Sequence, residues 1–248
     1  MRSSLRAESR LDHVSEVIRP STVLPAERVA DTFLTADGLR LVGEIATPIG
    51  HVAGNLVMLH PLPTHGGMMD SHLYKKAANR LPAMAGLRII RFNTRGTESE
   101  AGRSDGQFDE GNSERFDVEA VISEVASRYS EPLWVVGWSF GTDLALRYAR
   151  DPRVKGLILL SPPLRTATDQ DLKFWAEDGR PVIALIPELD DYLRPEAARK
   201  RFSLIPQAKV IPGEGIKHLW VGEPAVYRAL SEITAVINPG ALPLPTEI

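Results

Sequence analysis

The 248 residues of this chain carry 29 Lys and Arg against 32 Asp and Glu, and the formal net charge of −3 predicts no basic surface for nucleic acid or anionic membrane. The chain contains no cysteine, which excludes disulfides, thiolate metal sites and a cysteine nucleophile and fits a reducing compartment. The N-terminal stretch has no apolar core of a secretory signal, and no run is long and apolar enough to span a bilayer. We therefore expect a cytoplasmic protein without a membrane span.

Short apolar runs alternate with amphipathic stretches along most of the chain, after an opening β-hairpin. The hairpin is predicted over residues 29–35 and 39–47, which meet at the turn dipeptide Asp37-Gly38. Further strands are predicted at 55–59, 88–92, 133–136, 155–160, 181–186 and 208–212. Helices are predicted at 72–84, 113–129, 144–149, 169–177, 195–202 and 223–237.

This alternation predicts an α/β fold: a mostly parallel, twisted sheet of about eight strands with helices on both faces. In such sheets ligands bind at the carboxyl ends of the strands. The residues that follow each strand are therefore the candidate site residues. The pattern also predicts an N-terminal arm over residues 1–28, a single domain over 29–238 and an irregular, Pro-rich tail over 239–248.

Residues 132–148, PLWVVGWSFGTDLALRY, join a buried strand to a helix through a G-x-S-x-G turn centred on Ser139. A strand before this turn and a helix after it are the context of a nucleophile elbow. Glycine fits where the residues two before and two after a strained serine pass close together. The turn would lift the Ser139 hydroxyl out of the sheet and aim the following N–H groups at a developing negative charge. A Gly/Ser turn without chemistry is the alternative interpretation.

Two later strand ends carry the partners that a serine nucleophile needs. The sequence PELDD follows the strand over 181–186, and a loop with His218 follows the last strand. A serine hydroxyl needs an imidazole to take its proton, and the imidazole needs a carboxylate to fix its tautomer. Ser139, His218 and one aspartate of PELDD are therefore candidates, and a turn or N-cap role for either aspartate is the alternative.

The chain resembles the α/β-hydrolase family from about residue 29 to 237. The resemblance rests on GWSFG, the order Ser-Asp-His, LHPLP after the third strand, RFNTRGTES after the fourth, PELDD, and IKHLW before the last helix. The likeness is to small bacterial dienelactone-hydrolase-like and prolyl-oligopeptidase-like serine hydrolases. It implies an α/β-hydrolase fold with Ser139 as nucleophile, His218 as general base and acid, and Asp190 as the residue that orients His218. Asp190 falls on the family's acid position because Pro187 takes the place of its glycine, and Asp191 is the alternative.

An oxyanion hole needs two backbone N–H groups in this fold. One comes from the residue after the serine, Phe140, and the other from the loop after the third strand. In that loop, His60-Pro61-Leu62-Pro63, the prolines have no N–H to donate. Leu62 is therefore the predicted second donor.

The same loop is rich in histidine, which raises the question of a metal. The spacing of His60, His65 and His72 with Asp70 matches no helical ligand pair, so neither a metal nor a cofactor is expected. We interpret His60 as a buried, hydrogen-bonded side chain beneath the oxyanion loop. Arg95, in RGTES, is interpreted as a side chain that pins the loop after the fourth strand.

Only about twenty residues connect the strands over 155–160 and 181–186, where members of the family with large lids carry them. We therefore predict a minimal lid and a shallow, open site. The predicted substrate-binding residues are Trp138, His65 and Trp220, and Trp175 is a further candidate wall. An acyl group of modest size fits such a site.

These features together predict a serine hydrolase that cleaves a carboxylic ester or thioester of a small molecule through an acyl-enzyme. Two alternatives stay open: a binding or interaction protein of this fold with little catalysis, and an acyltransferase or perhydrolase that uses the same residues. The last helix, the N-terminal arm and the Pro-rich tail are candidate surfaces for a homodimer.

Overall fold

The computed structural model describes residues 17–247 of the chain. The helices and strands, in chain order, are β1 (Glu27–Leu34), β2 (Arg40–Thr47), β3 (Gly54–Leu59), α1 (His72–Ala85), β4 (Leu87–Phe92), β5 (Glu98–Ser99), β6 (Gly102–Arg103), α2 (Glu114–Arg128), β7 (Leu133–Trp138), α3 (Phe140–Tyr148), β8 (Val154–Leu160), α4 (Asp169–Asp178), β9 (Val182–Leu189), α5 (Pro195–Phe202), β10 (Lys209–Lys217) and α6 (Glu223–Ile237). Within the described range, no helix is long and apolar enough to cross a membrane.

One sheet organises these elements. Its eight strands run in the order β1-β2-β4-β3-β7-β8-β9-β10, and β5 and β6 form a separate small hairpin. The β1–β2 and β2–β4 pairs are antiparallel, and all the later pairs are parallel. The predicted mostly parallel sheet of about eight strands is confirmed, and the carboxyl ends of β3, β7, β8, β9 and β10 lie at one edge of it.

Helices cover both faces of the sheet, because its central strands are apolar on both sides. Along β3, Val57 and Leu59 belong to the hydrophobic cluster beneath α2, α3, α4 and α5. Leu56 and Met58, the alternate residues, belong to the cluster beneath α1 and α6. A strand presents successive side chains to opposite faces, so an unbroken apolar run of this kind fits only a strand buried on both sides.

Two strands extend further than the sequence predicts. β9 continues through Leu189 and β10 through Lys217, past Pro187 and Pro212. The ladder between them is irregular, since the pairing moves from Gly213–Pro187 directly to Lys217–Leu189. Pro212 is tolerated because β10 is an edge strand, and Pro187 is tolerated because it lies beyond Leu185, the last residue of β9 that pairs with β8.

The described part of the arm and the tail pack against the domain. Leu24 is buried, and its N–H donates to the carbonyl of Asn79 at 2.8 Å. In the tail, Leu244 is buried and its carbonyl accepts from the Tyr227 hydroxyl at 2.9 Å. The tail is therefore docked on α6 rather than loose. Residues 1–16 of the predicted arm lie outside the described residues, and the domain boundaries stay a prediction.

Candidate active site

The turn between β7 and α3 holds Ser139 in a strained conformation. Its φ of 51° and ψ of −119° are rare for a residue with a side chain, and its N–H donates to the Leu160 carbonyl at 2.9 Å. A Cβ on Gly141 would lie 2.0 Å from the Leu59 oxygen, and one on Gly137 would lie 2.5 Å from the Gly141 oxygen. Both glycines are therefore required by close backbone contacts, as the G-x-S-x-G interpretation demands.

Three side chains from three strand ends form one hydrogen-bonded chain. Nε2 of His218 lies 2.8 Å from Oγ of Ser139, and Nδ1 of His218 lies 2.9 Å from Oδ2 of Asp190. Asp190 and His218 are both buried, whereas Asp191 is exposed at the rim of the site. The structure thus places Asp190, and not its neighbour, on the imidazole.

The environment of Asp190 keeps this carboxyl ionised. Burial alone would raise the pKa of Asp190, but the hydrogen bonds from His218 and from the N–H groups of Tyr192 and Leu193 outweigh it and lower that pKa. An ionised Asp190 accepts a hydrogen bond from Nδ1–H of His218. Nε2 of His218 is then left free to accept the hydroxyl proton of Ser139.

The two residues predicted to supply oxyanion donors, Phe140 and Leu62, line one cavity together with Ser139. Phe140 is the first residue of α3, where helical N–H groups have no partner within the helix. The Leu62 carbonyl accepts from the N–H groups of His65 and Gly67, which closes a tight turn. Among residues 17–247, the N–H of Leu62 itself has no hydrogen-bond acceptor. Both predicted oxyanion donors are therefore free to bind a ligand oxygen.

His60 supports the loop that carries Leu62. Its Nδ1–H donates to the Pro61 carbonyl at 2.7 Å, and its Nε2 accepts from the N–H of Thr94 at 3.1 Å. Burial lowers the pKa of His60 to about 4, so the ring is neutral at physiological pH and keeps both hydrogen bonds. The interpretation of His60 as a buried, hydrogen-bonded residue agrees with this geometry.

Arg95 fixes the loop after β4. Its guanidinium pairs with Asp117 at 2.8 Å and with Asp37 at 2.9 Å, and the backbone N–H of Arg95 also donates to the Asp117 carboxylate. Ser99, in the same loop, accepts from the Asn93 side chain at 2.9 Å. These contacts agree with a supporting role for Arg95.

A cavity of about 610 Å³ opens above Ser139. Two aromatic pairs belong to its lining. The Phe108 and Phe140 rings meet edge to face with centroids 5.5 Å apart, and the Tyr192 ring lies against the imidazole of His218 with centroids 4.7 Å apart. The remaining lining residues are Pro61, Leu62, Thr64, His65, Glu110, Ser139, Asp143, Pro163, Arg165, Thr166, Asp191 and Leu219.

A sequence model of the family described as alpha/beta hydrolase fold matches residues 55–213. The chain belongs to the α/β-hydrolase-fold family. The match contains Ser139 and Asp190 and ends five residues before His218. No curated protein is similar to the chain at a significant level.

Solved α/β-hydrolase-fold structures resemble this one over nearly their full length. An α/β serine hydrolase without lid from Xanthomonas campestris shares 24% identity over 91% of this chain and 99% of its own, with a TM-score of 0.67. An α-β serine hydrolase homologue from Coxiella burnetii shares 24% identity over 89% of this chain and 99% of its own, with a TM-score of 0.68. The Pyrococcus furiosus esterase shares 15% identity over 90% of this chain and 99% of its own, with a TM-score of 0.71. At these identities the likeness shows the fold alone.

The structure corrects the prediction for the tryptophans of this α/β-hydrolase-fold protein. Trp138 and Trp220 are both 1% exposed and Trp175 is fully buried, so none of them lines the cavity. Trp138 is the last residue of β7, and its side chain lies on the face of the sheet that α1 and α6 cover, where it contacts His72 and Tyr74. Of the predicted substrate-binding residues, only His65 lines the cavity.

Tyr192, Phe108 and Arg165 line the cavity, although the sequence does not single them out. All three lie on loops between helices and strands, where the spacing of apolar residues does not indicate which way a side chain points. The Arg165 guanidinium lies over the Tyr192 ring at 5.4 Å, so these two lining residues contact each other.

The connection between β8 and β9 is a minimal lid, as predicted. Helix α4 turns its apolar side inward, where Leu172 is fully buried and the Trp175 indole donates to the Leu146 carbonyl at 2.9 Å. It therefore packs on the body of the domain. Only Pro163, Arg165 and Thr166 of this connection reach the cavity.

The histidine-rich loop brings no metal ligands together. Within residues 17–247 there is no group of three or more His, Asp or Glu side chains that could hold a metal ion. The Nε2 of His72, for instance, donates to the Leu219 carbonyl at 2.8 Å.

Proposed function

We propose that the protein is a serine hydrolase that cleaves carboxylic esters or thioesters of small molecules, with Ser139, His218 and Asp190 as its catalytic residues. The observation that carries this proposal is the hydrogen-bonded chain from Asp190 through His218 to Ser139, with links of 2.9 and 2.8 Å, at the floor of an open cavity. A nucleophile, a base within hydrogen-bond reach and a group that orients the base are the parts that acyl transfer needs.

In the acylation step, Nε2 of His218 takes the hydroxyl proton while Oγ of Ser139 attacks the substrate carbonyl. The carbonyl oxygen becomes an oxyanion, which accepts hydrogen bonds from the N–H groups of Phe140 and Leu62. The bond to the leaving group then breaks, and the imidazolium of His218 gives its proton to the departing alkoxide or thiolate.

Deacylation repeats the sequence with water as nucleophile. His218 takes one proton from the water as its oxygen attacks the acyl carbon, and the same two N–H groups bind the second oxyanion. The bond to Oγ of Ser139 breaks, the proton returns to that oxygen, and a carboxylic acid leaves. Asp190 stays ionised throughout and stabilises the imidazolium that forms twice per turnover.

The cavity suggests an acyl group of modest size. Its volume of about 610 Å³ lies in the range that small-molecule sites occupy. Leu62, Phe108, Phe140 and Pro163 give it apolar walls close to Ser139, while Glu110, Arg165 and Asp191 place charges at its edge. We expect short and medium acyl chains to bind against the apolar side.

The test is hydrolysis of p-nitrophenyl esters and acyl thioesters of graded chain length by the purified protein, beside Ser139→Ala. We expect loss of the nucleophile to lower kcat by a factor on the order of 10⁶. Ser127→Ala is the matched control, because the Ser127 hydroxyl is exposed and makes only surface contacts: it donates to the Ser123 carbonyl in the same helix and accepts from Arg153 at 3.5 Å. Activity that survives in Ser139→Ala would contradict the proposal, and no turnover of any ester or thioester would favour the binding-protein alternative.

A further inference from the structure

The sheet holds the main chain before His218 at a single residue. The β9–β10 ladder is interrupted between Gly213 and Lys217, so only the pair of Lys217 with Leu189 precedes the histidine, and β10 is an edge strand. Asp190 restrains the imidazole, but its single bond to Nδ1 does not fix the position of the His218 backbone. Catalytic geometry tolerates only about 0.5 Å of displacement. Another part of the molecule must therefore hold this loop.

The His218 carbonyl accepts two hydrogen bonds from buried side chains on other strands. The hydroxyl of Ser161, which follows β8, lies 2.9 Å away, and the indole Nε1 of Trp138, at the end of β7, lies 3.3 Å away. Ser161 and Trp138 are each 1% exposed. Two donors use both lone pairs of this carbonyl, which fixes its direction.

Ser161 also binds the residue two positions beyond the histidine. The indole Nε1 of Trp220 lies 2.8 Å from Oγ of Ser161. An indole N–H can only donate, so the Ser161 oxygen accepts from Trp220 and its own proton is directed to the His218 carbonyl. One hydroxyl therefore joins two points of the His218 loop to the end of β8.

A third contact holds the next carbonyl. Nε2 of His72, the first residue of α1, donates to the Leu219 carbonyl at 2.8 Å, and the His72 ring packs edge to face on Trp138 at 5.4 Å. Ser161 and Trp220 have φ values of 52° and 53°, a region that residues with side chains rarely adopt. Such conformations persist where surrounding contacts enforce them, as the buried hydrogen bonds do here.

We propose that Ser161 is a positioning residue for the general base: with Trp138, it fixes the main chain of His218 so that Nε2 stays within hydrogen-bond reach of Ser139. This inference rests on the proposed function, since it gives the network a role only if His218 transfers protons. The role is distinct from that of Asp190, which orients the ring, because Ser161 acts on the backbone.

The decisive variants remove the hydroxyl in two ways. Ser161→Ala deletes it, and Ser161→Gly deletes it while favouring the positive φ at this position. For both we expect kcat to fall by about 10²-fold, as for a catalytic group displaced by about 1 Å, with KM changed less than about threefold. A purely conformational role would instead leave Ser161→Gly close to the wild-type kcat.

The leaving group separates positioning from general loss of structure. p-Nitrophenolate departs without a proton, whereas an alkoxide needs the proton of His218. The two esters compared carry the same acyl group. We expect Ser161→Ala and Ser161→Gly to slow hydrolysis of an alkyl ester at least about threefold more than hydrolysis of a p-nitrophenyl ester. The reason is that a misplaced imidazole acts less well both as a base and as an acid, and only the alkyl ester needs the acid. Equal losses for the two esters would overturn the proposal.

Matched controls use buried donors outside the site. Trp175→Phe removes an indole N–H that donates to the Leu146 carbonyl, as Trp138→Phe removes the one to the His218 carbonyl. Thr234→Val removes a buried hydroxyl that donates to the Leu230 carbonyl. We expect Trp138→Phe to lower kcat about tenfold and both controls to leave kcat unchanged. If the Ser161 variants do not fold, Trp138→Phe against Trp175→Phe decides the question.

The outcomes also separate this inference from the proposed function. Wild-type hydrolysis that Ser139→Ala abolishes, together with unchanged kcat in Ser161→Ala and Trp138→Phe, would overturn the positioning role alone. A wild-type protein that hydrolyses no ester would overturn the proposed function, and with it any role of Ser161 in that reaction.

Discussion

Ser139 and His218 are the two ends of the proposed proton-transfer path, and the molecule holds them by different means. Ser139 is fixed by local backbone: a strained φ, a turn between a buried strand and a helix, and two glycines that allow chain segments to pass in contact. His218 follows an interrupted stretch of edge strand, and side chains from three distant elements hold its loop.

This difference determines how each end should respond to mutation. The turn at Ser139 should fail when a single methyl group is added to one of its glycines, because the contacting backbone cannot move aside. The His218 loop is held by several side chains, so each hydrogen bond that is removed should lower the activity by a further step. Variants at the two ends therefore test this contrast.

Asp190→Asn should have the largest effect on the histidine end. The amide cannot stabilise the imidazolium, and it favours the wrong tautomer of His218, so kcat should fall by a factor on the order of 10⁴. Asp191→Asn is the control and should stay within about threefold of wild type, because the Asp191 side chain is exposed and Asp190 makes the bond to Nδ1. Steady-state kinetics on one ester measures both. A larger fall in kcat for Asp191→Asn than for Asp190→Asn would instead identify Asp191 as the carboxylate that orients His218.

Gly141→Ala should break the serine end by packing alone. The added Cβ would lie 2.0 Å from the Leu59 oxygen, which is backbone in a buried strand and cannot move aside. We expect the free energy of unfolding to fall by about 3 kcal/mol, measured by urea denaturation. Gly240→Ala, whose Cβ would meet no atom closer than 3.7 Å, should change it by less than about 0.5 kcal/mol. Similar stability of the two variants would refute the account of the elbow.

The loop that carries Leu62 is held both by its own backbone turn and by a buried side chain, His60, which bonds to Pro61 and Thr94. The pKa of His60 falls from 6.5 to about 4 on folding, so below pH 6.5 the unfolded chain binds more protons than the native one. Stability should therefore decrease as the pH falls, by about 2 kcal/mol between pH 7.5 and 5 from this residue. Urea unfolding at the two pH values, for wild type and His60→Gln, measures the difference. An equal pH dependence in the two proteins would exclude His60 as its source.

Asp143 tests the cavity wall, where we expect the smallest effect. Its buried carboxylate, one turn after Ser139, accepts from the N–H groups of Arg165 and Ala167 at 3.1 Å and so holds the minimal lid in place. Asp143→Asn replaces one acceptor with a donor, which should cost about 1 kcal/mol and alter the ratio of kcat/KM for medium and short acyl chains about fivefold. Asp169→Asn, in an exposed ion pair with Arg201, should leave that ratio unchanged. An unchanged ratio in Asp143→Asn would show that the wall does not depend on Asp143.

The same contrast explains what the sequence could predict. G-x-S-x-G between an apolar run and an amphipathic stretch is a local pattern, and the order Ser-Asp-His follows from strand ends that must share one edge of the sheet. The sheet and its covered faces could be expected from such patterns. The small lid and the choice of Asp190 over Asp191 rested on the resemblance to the family. The free N–H of Leu62 could be expected as well, because its neighbours are prolines.

The tryptophans show where such reasoning fails. Trp138 and Trp220 flank the candidate residues in sequence, which suggested pocket walls, but a strand end and a positive φ turn their rings into the core. The bonds of Ser161 to His218 and Trp220 span 57 and 59 residues, and no local pattern encodes them. Tyr192 and Arg165 reach the cavity from loops, whose direction depends on the packing of the whole domain.

The proposed function requires that Ser139 is a nucleophile activated by His218. The most direct test is reaction with a fluorophosphonate, followed by intact-protein mass measurement and peptide mapping. We predict one adduct per chain, on Ser139, absent in Ser139→Ala and formed far more slowly in His218→Ala. An adduct on another residue, or labelling of Ser139→Ala at the wild-type rate, would contradict the account.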